Sequence, residues 1–412
     1  MSAVPRLTYL RIKNYRALRD VEFRDLTPLT VLIGPNGSGK STVLDALDFL
    51  AEAVRGNLQD AWNSRQRFEG MRTKGSRKQD AILFELEFQT EEDVVGYKIG
   101  FNEFDTVNGV KIFIDSEVIT DNKNNLLLTR LTDKYFGASS KQSFYPFLNE
   151  YRFNFDASVP MHSIPDYTFL TSVNTGNDER GAHLRAIALT LNEVLSSYRL
   201  THLTDDHLKG YSDAGPRERI SPNGDNLPNV LYHLHLKHPE VLALITEKLK
   251  SWVPKLADVV PEMTSDKRIL LRFRDAPGDE PLPARYMSGG TMRLAALLTL
   301  LYEPDAAGLL GIEEPENELY PHLLYLLAEE LGKATEQRQL LVATHSPFLL
   351  DALAPEQVWI LHRGSAGYTQ ATRAADIPNV KELVEDGSPL GYLWTSNSLT
   401  VADPLAPAAD AR

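Results

Sequence analysis

Residues 34–41 read GPNGSGKS and match the pattern G-x-x-x-x-G-K-[ST] in full. The apolar run Leu29–Ile33 comes just before this octapeptide, and Ser41–Val54 follows it with apolar residues at a helical spacing. Such glycines let the backbone curl until its N–H groups point at phosphate oxygens, and the helix N-terminus adds a positive dipole end. A strand, a glycine loop and a helix in this order predict a phosphate-binding loop in an α/β fold.

The residue types of this phosphate loop suit ATP and Mg²⁺. Lys40 has the reach for the β- and γ-phosphates, and the Ser41 hydroxyl is a ligand for Mg²⁺. A glycine loop that only caps a helix is the alternative, but a chance match in this length has odds on the order of one per cent. The predicted nucleotide-binding residues of the loop are Asn36, Gly37, Ser38, Gly39, Lys40, Ser41 and Thr42.

Two adjacent carboxylates follow a second apolar strand. Leu309–Ile312 reads as that strand, and Glu313 and Glu314 come directly after it. Because side chains alternate between the faces of a strand, we expect the two acids to have different roles. One can hold the Mg²⁺ shell, and the other can orient or deprotonate the water that attacks the γ-phosphate. Glu316 is either a third acid of the site or a surface residue.

A serine and two glycines, Ser288, Gly289 and Gly290, precede a predicted helix over Thr291–Leu301. Ser288 can serve as the N-cap of that helix. Alternatively, the hydroxyl, the flexible glycines and the helix N-terminus form a second phosphate site. Because the chain already has a phosphate loop, this second site would face a nucleotide bound by another subunit.

One histidine, His345, lies just after the predicted strand Gln339–Ala343. A single histidine at the end of a strand usually has a structural role. The carboxyl edge of a parallel sheet is, however, where α/β proteins bind ligands. The position of His345 therefore favours a role in the site.

These four sequence motifs, in this order, resemble those of the ATP-binding cassette (ABC) ATPases. Gly34–Ser41 resembles Walker A, Ser288–Thr291 the signature motif, Ile312–Glu314 Walker B with its catalytic glutamate, and His345 the switch histidine. The opening stretch Leu10–Leu18 resembles the first strands of the RecF/SMC-like branch of AAA ATPases. The resemblance implies an ATPase that hydrolyses ATP to ADP and phosphate.

The resemblance also implies a role for each matched residue. Glu313 would join Ser41 at Mg²⁺, although many relatives carry Asp at the position of Glu313. The catalytic residues would be Lys40, Glu314 and His345, with Glu314 activating water and His345 contacting the γ-phosphate. Ser288, Gly289 and Gly290 would face ATP held by a partner subunit, which implies a homodimer that forms on ATP through composite sites.

Within the branch, EEPE at 313–316 and THSP at 344–347 resemble the overcoming-lysogenization-defect (OLD) family and the Septu defence ATPases. The OLD enzymes carry a C-terminal Toprim nuclease domain. No acidic Asp-x-Asp cluster follows His345 here, so we expect no nuclease in this chain. The Q-loop glutamine of the family is not identifiable, since Gln89 lies in a predicted strand and Gln142 in a predicted loop.

The predicted fold is α/β: a P-loop NTPase of the ABC-type ATPase head, with an antiparallel β layer and an inserted helical lobe. Residues 81–131 are β-rich with turns between the strands, whereas Glu179–Tyr198 and Leu227–Leu249 have helical periods. We expect ATPase lobe I over 1–148, the helical lobe over 149–265, ATPase lobe II over 266–402 and a flexible tail over 403–412.

Composition excludes several classes of protein. The chain has 412 residues and a net charge of −13, with 42% hydrophobic and 24% charged residues, which is typical of a globular protein. It contains no cysteine, so thiolate metal sites and cysteine nucleophiles are excluded. No signal peptide or membrane span is visible, and we expect a cytoplasmic protein without a membrane partner.

The segment Arg55–Lys78 is locally basic in an acidic chain. It reads either as a solvated loop or as a patch that contacts a phosphate backbone. Two functions remain open. In one, the ATPase acts in DNA transactions, in anti-phage defence or repair, together with a separate effector such as a nuclease. In the other, it is a slow nucleotide-gated scaffold that holds a partner nuclease or toxin and does not act on DNA.

Overall fold

The computed structural model describes residues 5–91, 93–106, 109–121, 126–131, 170, 179–204, 208, 215–276, 278, 280–399 and 401. The strands are β1 (Arg6–Tyr15), β2 (Leu18–Phe23), β3 (Leu29–Ile33), β4 (Ile82–Gln89), β5 (Val94–Thr106), β6 (Gly109–Thr120), β7 (Leu126–Leu131), β8 (Arg199–Thr201), β9 (Leu256–Met263), β10 (Ile269–Asp275), β11 (Leu282–Pro283), β12 (Leu309–Glu313), β13 (Gln339–Thr344), β14 (Val358–Arg363) and β15 (Thr369–Arg373). The helices are α1 (Lys40–Val54), α2 (Leu58–Ser64), α3 (Arg67–Met71), α4 (Glu179–Ser197), α5 (Leu227–Lys237), α6 (Pro239–Trp252), α7 (Gly289–Leu301), α8 (Leu323–Ala334), α9 (Pro347–Leu350), α10 (Val380–Glu385) and α11 (Leu390–Thr395).

A mostly parallel sheet forms the centre of the protein. Its strand order is β15-β14-β3-β13-β12-β8, and only the edge strand β15 runs antiparallel to its neighbour. The strands are buried on both faces because alternate residues serve two cores: Val31 and Ile33 of β3 face one, and Leu32 faces the other. This explains why Leu29–Ile33 reads as a continuous apolar run.

A second sheet is antiparallel, with the order β2-β1-β4-β5-β6-β7. Helix α1 lies between the two sheets. On one side, the ring of Phe49 meets those of Phe84 and Phe101 of the antiparallel sheet at 6.3 and 5.1 Å. On the other side, the Leu44 carbonyl accepts a hydrogen bond from the Tyr198 hydroxyl next to β8. The helix that follows the phosphate loop is therefore held on both sides.

The opposite face of the parallel sheet is covered by helices. Helices α5, α6, α7 and α8 contribute to the core that contains Val31, Ile33 and Leu310, and the small sheet β11-β10-β9 packs against the same core. Within the described ranges, none of the helices combines the length and the apolar character that crossing a bilayer requires.

The ATPase-head fold with its antiparallel β layer is confirmed in outline, and the motif strands and helices lie where the sequence predicts them. The helical character predicted for Leu227–Leu249 is confirmed, and the stretch forms two helices because the proline at position 239 starts a new one. The predicted antiparallel layer is present as β4–β7.

The predicted helical lobe, 149–265, lies only partly within the described residues, and the predicted tail, 403–412, lies outside them. The described part of the lobe is not helical throughout, since it also supplies β8 to the central sheet and β9 to the small sheet. Helix α4 packs on α1 and α6 packs on α7. The boundaries of the lobes stay a prediction.

The basic segment Arg55–Lys78 is not a plain loop, because it forms α2 and α3. Arg65 is only 8% exposed and makes ion pairs with three carboxylates of α1: Asp45 at 3.0 Å, Asp48 at 2.7 Å and Glu52 at 2.6 Å. These acids lie on one face of the helix, and the guanidinium fork reaches all three. Burial raises the pKa of Asp48 to about 6, against the opposing field of Arg65.

Arg72 is also engaged inside the protein. Its guanidinium bonds to Glu103 at 3.3 Å and to Asn102 at 3.0 Å, and it stacks over the ring of Phe68. Arg65 and Arg72 therefore serve the fold, and their internal pairing disfavours the hypothesis that the whole segment contacts a phosphate backbone. Arg67 and Lys74 of the same segment have exposed side chains.

We expect Arg65→Gln to lower the free energy of unfolding by about 3 kcal/mol, because it leaves three partly buried carboxylates without their buried cation. Urea unfolding at neutral pH measures this change. The matched control is Arg77→Gln, which removes an exposed guanidinium near Asp80 and should change the free energy by less than about 0.5 kcal/mol. Equal effects of the two substitutions would contradict a structural role for Arg65.

Candidate active site

The central sheet brings the predicted site residues together. Strands β3, β13 and β12 are neighbours and parallel, with Ile33 paired to Thr344 and Ala343 paired to Glu313. Their carboxyl ends therefore meet at one edge. The phosphate loop leaves β3 there, His345 follows β13, and Glu313 ends β12. Segments far apart in sequence converge on one site.

The phosphate loop has a backbone conformation that requires glycine at two positions. Gly37 has φ 74° and Gly39 has φ 110°, both in the left-handed region that disfavours other residues. A Cβ at Gly39 would also lie 2.5 Å from the hydroxyl oxygen of Thr369. In the loop, Asn36, Gly37 and Ser41 are exposed, whereas the Ser38 side chain is buried and its hydroxyl has no partner among the described residues.

Lys40 begins α1 and folds back over the loop. Its ammonium donates to the carbonyls of Gly34 at 2.8 Å and Pro35 at 3.2 Å. Burial lowers the pKa of Lys40 to about 8, while the fields of Glu314, Glu316 and Glu313 act in the opposite direction. A buried cation whose hydrogen-bond partners are neutral carbonyls is suited to an anionic ligand.

The hairpin of β14 and β15 makes hydrogen bonds to the phosphate loop. The Thr369 hydroxyl of β15 donates to the carbonyl of Ser38 at 2.7 Å, and Arg363 of β14 donates through Nε to the carbonyl of Gly37 at 2.7 Å. Both bonds hold carbonyls of the phosphate loop and so fix its backbone. Sequence reasoning missed both residues, since no motif marks them.

Glu314 has a constrained geometry. Its backbone is left-handed with φ 45°, and its N–H donates to the carbonyl of Ala343 at 2.8 Å. Asn317 donates to Oε2 at 2.7 Å, and Nε2 of His345 lies 3.8 Å from Oε1. The carbonyl of Glu314 accepts a hydrogen bond from buried Arg293 on α7. The carboxylate thus points towards His345 in a conformation that several contacts support.

Glu316 holds the loop that carries His345. One carboxylate oxygen, Oε1, accepts from the Thr344 hydroxyl and from the His345 N–H, both at 2.7 Å. The other, Oε2, is buried and has no partner in the described part of the chain. The sequence did not decide whether Glu316 is a third acid of the site or a surface residue. In the structure it accepts a hydrogen bond from the backbone of His345.

The His345 side chain is half-buried beside Lys40. Desolvation lowers the pKa of His345 below its usual value, and the nearby Lys40 charge lowers it further, against the fields of Glu314 and Glu316. The lowered pKa of His345 favours the neutral imidazole at physiological pH. A neutral ring can donate from one nitrogen and accept at the other.

The helix at Ser288 begins as the sequence predicts. The Ser288 hydroxyl accepts from the Thr291 N–H at 3.1 Å, which confirms its role as an N-cap. A Cβ at Gly290 would lie 2.6 Å from the carbonyl of Glu318, so the segment after Glu314 packs directly on this turn. The second phosphate role of Ser288, Gly289 and Gly290 stays a prediction.

The donor set fits a nucleotide and its cation. The phosphate loop offers backbone N–H groups, the Lys40 ammonium and the unpartnered hydroxyl of Ser38. The same edge carries the exposed Ser41 and the carboxylate of Glu313, which are oxygen ligands of the kind that Mg²⁺ prefers. The predicted loop residue Thr42 lies in the first turn of α1.

Comparisons with known proteins agree with this geometry. Residues 29–351 match a family described as "AAA domain, putative AbiEii toxin, Type IV TA system". The OLD nuclease of Thermus scotoductus is 24% identical over 382 residues, which cover 84% of this chain and 60% of that protein. The chain thus spans less than two thirds of the length of this curated relative.

Among solved structures, an SMC head bound to the C-terminal winged-helix domain of ScpA superimposes with a TM-score of 0.53 at 13% identity. The alignment covers 89% of this chain and 98% of that one, and it shows a shared fold. With the family match over most of its length, the chain belongs to the AAA domain family named above, and it shares the fold of an SMC head.

Proposed function

We propose that the chain binds ATP with Mg²⁺ and hydrolyses it at the edge of the central sheet. The observation that carries this proposal is the convergence of the phosphate loop, Glu313, Glu314 and His345 on neighbouring strand ends. Lys40 and the loop N–H groups would hold the phosphates. Ser41 and Glu313 would hold Mg²⁺, which when bound neutralises charge on the phosphate oxygens.

In this proposal Glu314 is the general base. Asn317 occupies Oε2 as a donor, which leaves Oε1, on the side of His345, to accept a proton from the attacking water. The neutral imidazole of His345 can donate to a γ-phosphate oxygen. Glu316, through the bonds to Thr344 and the His345 backbone, is a positioning residue for this histidine.

We further propose that two copies form a dimer on ATP, each presenting Ser288, Gly289 and Gly290 to the nucleotide of the other. Large exposed side chains next to each part of the site support this arrangement. Tyr286 is 65% exposed beside Ser288, Tyr320 is 65% exposed after the acids, and Phe348 is 44% exposed after His345. Aromatic groups of this kind are enriched in protein interfaces.

We place the ATPase in DNA transactions of the cytoplasm, in anti-phage defence or repair, together with a separate effector such as a nuclease. The OLD nuclease relative and the exposed cations Arg67 and Lys74 support this proposal. A nucleotide-gated scaffold for a partner nuclease or toxin is the second candidate. It is favoured by the net charge of −13 and by the internal pairing of Arg65 and Arg72.

Two substitutions separate binding from hydrolysis. We expect Lys40→Ala to abolish ATP binding, because the buried ammonium is lost. We expect Glu314→Gln to bind ATP, to hydrolyse it at least about 100-fold more slowly and to accumulate as a dimer, because only the base is removed. Equilibrium binding, phosphate release and light scattering after size exclusion measure these effects.

Wild-type turnover in Lys40→Ala would overturn the assignment of the site. A Glu314→Gln protein that binds ATP but stays monomeric would overturn the composite site alone. The test thus distinguishes the nucleotide site from the dimer.

Glu316→Ala should lower turnover roughly 10- to 100-fold with unchanged ATP affinity, because His345 loses its support while the phosphate loop is untouched. The matched control is Glu318→Ala, an exposed glutamate two residues later. If both substitutions leave turnover unchanged, Glu316 does not position His345.

DNA distinguishes the two candidate functions. We expect double- or single-stranded DNA to raise turnover several-fold, and Arg67→Gln combined with Lys74→Gln to weaken DNA binding and reduce its salt slope by up to about two. Arg77→Gln alone is the control from the same segment. ATP turnover that does not change when DNA is added would favour the scaffold function. The next measurement would then be purification of the chain with a bound effector.

A further inference from the structure

The antiparallel part of the protein contains a cavity with a volume of about 470 Å³. It is lined by residues of α2, of α3 and the segment after it, and of the hairpin formed by β5 and β6. None of these elements supplies a residue to the candidate ATP site. The volume lies within the range of small-molecule sites, so the cavity is of a size to hold a ligand as large as one nucleotide.

Charged side chains form the larger part of the lining of this cavity. The cations are Arg67, Arg72 and Lys78, and the acids are Glu69 and Glu103. The lining therefore has a net positive charge in a protein whose net charge is −13. Such a lining attracts an anion, and its two carboxylates can accept hydrogen bonds from N–H groups of the same ligand.

Two buried donors of the lining have no hydrogen-bond partner among the described residues: Nε1 of Trp62 and Nε of Arg72. The other nitrogens of Arg72 bond to Glu103 and Asn102, and burial lowers the pKa of this guanidinium. Unmet donors beside a partly buried positive charge favour a ligand that is rich in acceptor oxygens. A phosphate group is a ligand of this kind.

An unfavourable backbone conformation presents Arg67 at the cavity. Gln66 and Arg67 have φ 61° and 60°, in the left-handed region that residues other than glycine rarely adopt, and here two adopt it in succession. The guanidinium carbon of Arg67 lies 5.4 Å from the centroid of the buried Trp62 ring, and the Arg67 side chain is exposed. A guanidinium plane that rests on an aromatic ring can stack a nucleobase on its other face.

We propose that this cavity binds a nucleoside monophosphate, at a site separate from the one proposed for ATP. Lys78 and Arg72 bind the phosphate, and the base stacks on Arg67. The carboxylates of Glu69 and Glu103 accept hydrogen bonds from N–H groups of the base. Inorganic phosphate alone leaves these carboxylates and the face of Arg67 unused, so the ligand needs both a phosphate and a planar ring.

The test uses the full chain with the substitution Lys40→Ala, so that the phosphate loop does not contribute to binding. The probes are AMP, GMP, CMP and UMP, each in a calorimetric titration. At least one of them should bind to this protein. Inorganic phosphate and the matching nucleoside should each bind about tenfold more weakly or worse, because each lacks part of the contacts.

A second substitution in the same protein locates the binding. Val110→Trp places an indole in the cavity from β6 and should weaken binding of the nucleotide about tenfold or more, because the added ring occupies the space of the ligand. The matched control is Val118→Trp, which enlarges a half-buried valine of the same strand outside the lining. If Val110→Trp does not fold, Lys78→Gln replaces it and Arg77→Gln is its control, because both cations are exposed and only Lys78 lines the cavity.

Several results would overturn this inference. They are the absence of binding of all four nucleotides, equal binding by each variant and its control, and binding of inorganic phosphate as strong as that of the nucleotide. Each of them leaves the proposed function intact, because ATP binding and turnover are measured in the chain that retains Lys40. Arg67 also belongs to the proposed DNA contact, and for that reason the variants alter other residues of the lining.

Discussion

The site depends on the parallel pairing of β3, β13, β12 and β8. Parallel strands need long crossover connections, which is why residues from widely separated parts of the sequence end at the same edge. Because β13 lies between β3 and β12, His345 emerges between the phosphate loop and the acids. The register allows little freedom, since a slip of one residue would turn Glu313 and Glu314 to the opposite faces.

Main-chain contacts then hold the groups that leave the strands. Thr369 and Arg363 bind carbonyls of the phosphate loop, Arg293 binds the carbonyl of Glu314, and Glu316 binds the backbone of His345. Each support comes from a different element than the group it holds. A site held in this way keeps its donors oriented before a ligand arrives, which is what electrostatic stabilisation of developing charge requires.

The sequence predicted the residues that local patterns mark and missed those that depend on tertiary contacts. The phosphate loop and Glu313–Glu314 can be identified from the sequence alone, because their residue spacing and the strands before them form local patterns. Strand β8 has only three residues and lies in the predicted helical lobe, so no sequence pattern indicates its pairing with β12. Sequence reasoning missed the ion pairs of Arg65 because its partners lie on α1, a separate helix.

The charge balance of the edge sets a condition on the binding of a nucleotide there. Glu313, Glu314 and Glu316 surround one buried ammonium, and burial still holds the pKa of Lys40 at about 8 against their fields. In the proposed site these acids would repel a bound triphosphate unless a divalent cation accompanied it. The Mg²⁺ proposed at Ser41 and Glu313 would offset the charge of these acids as well as that of the phosphates.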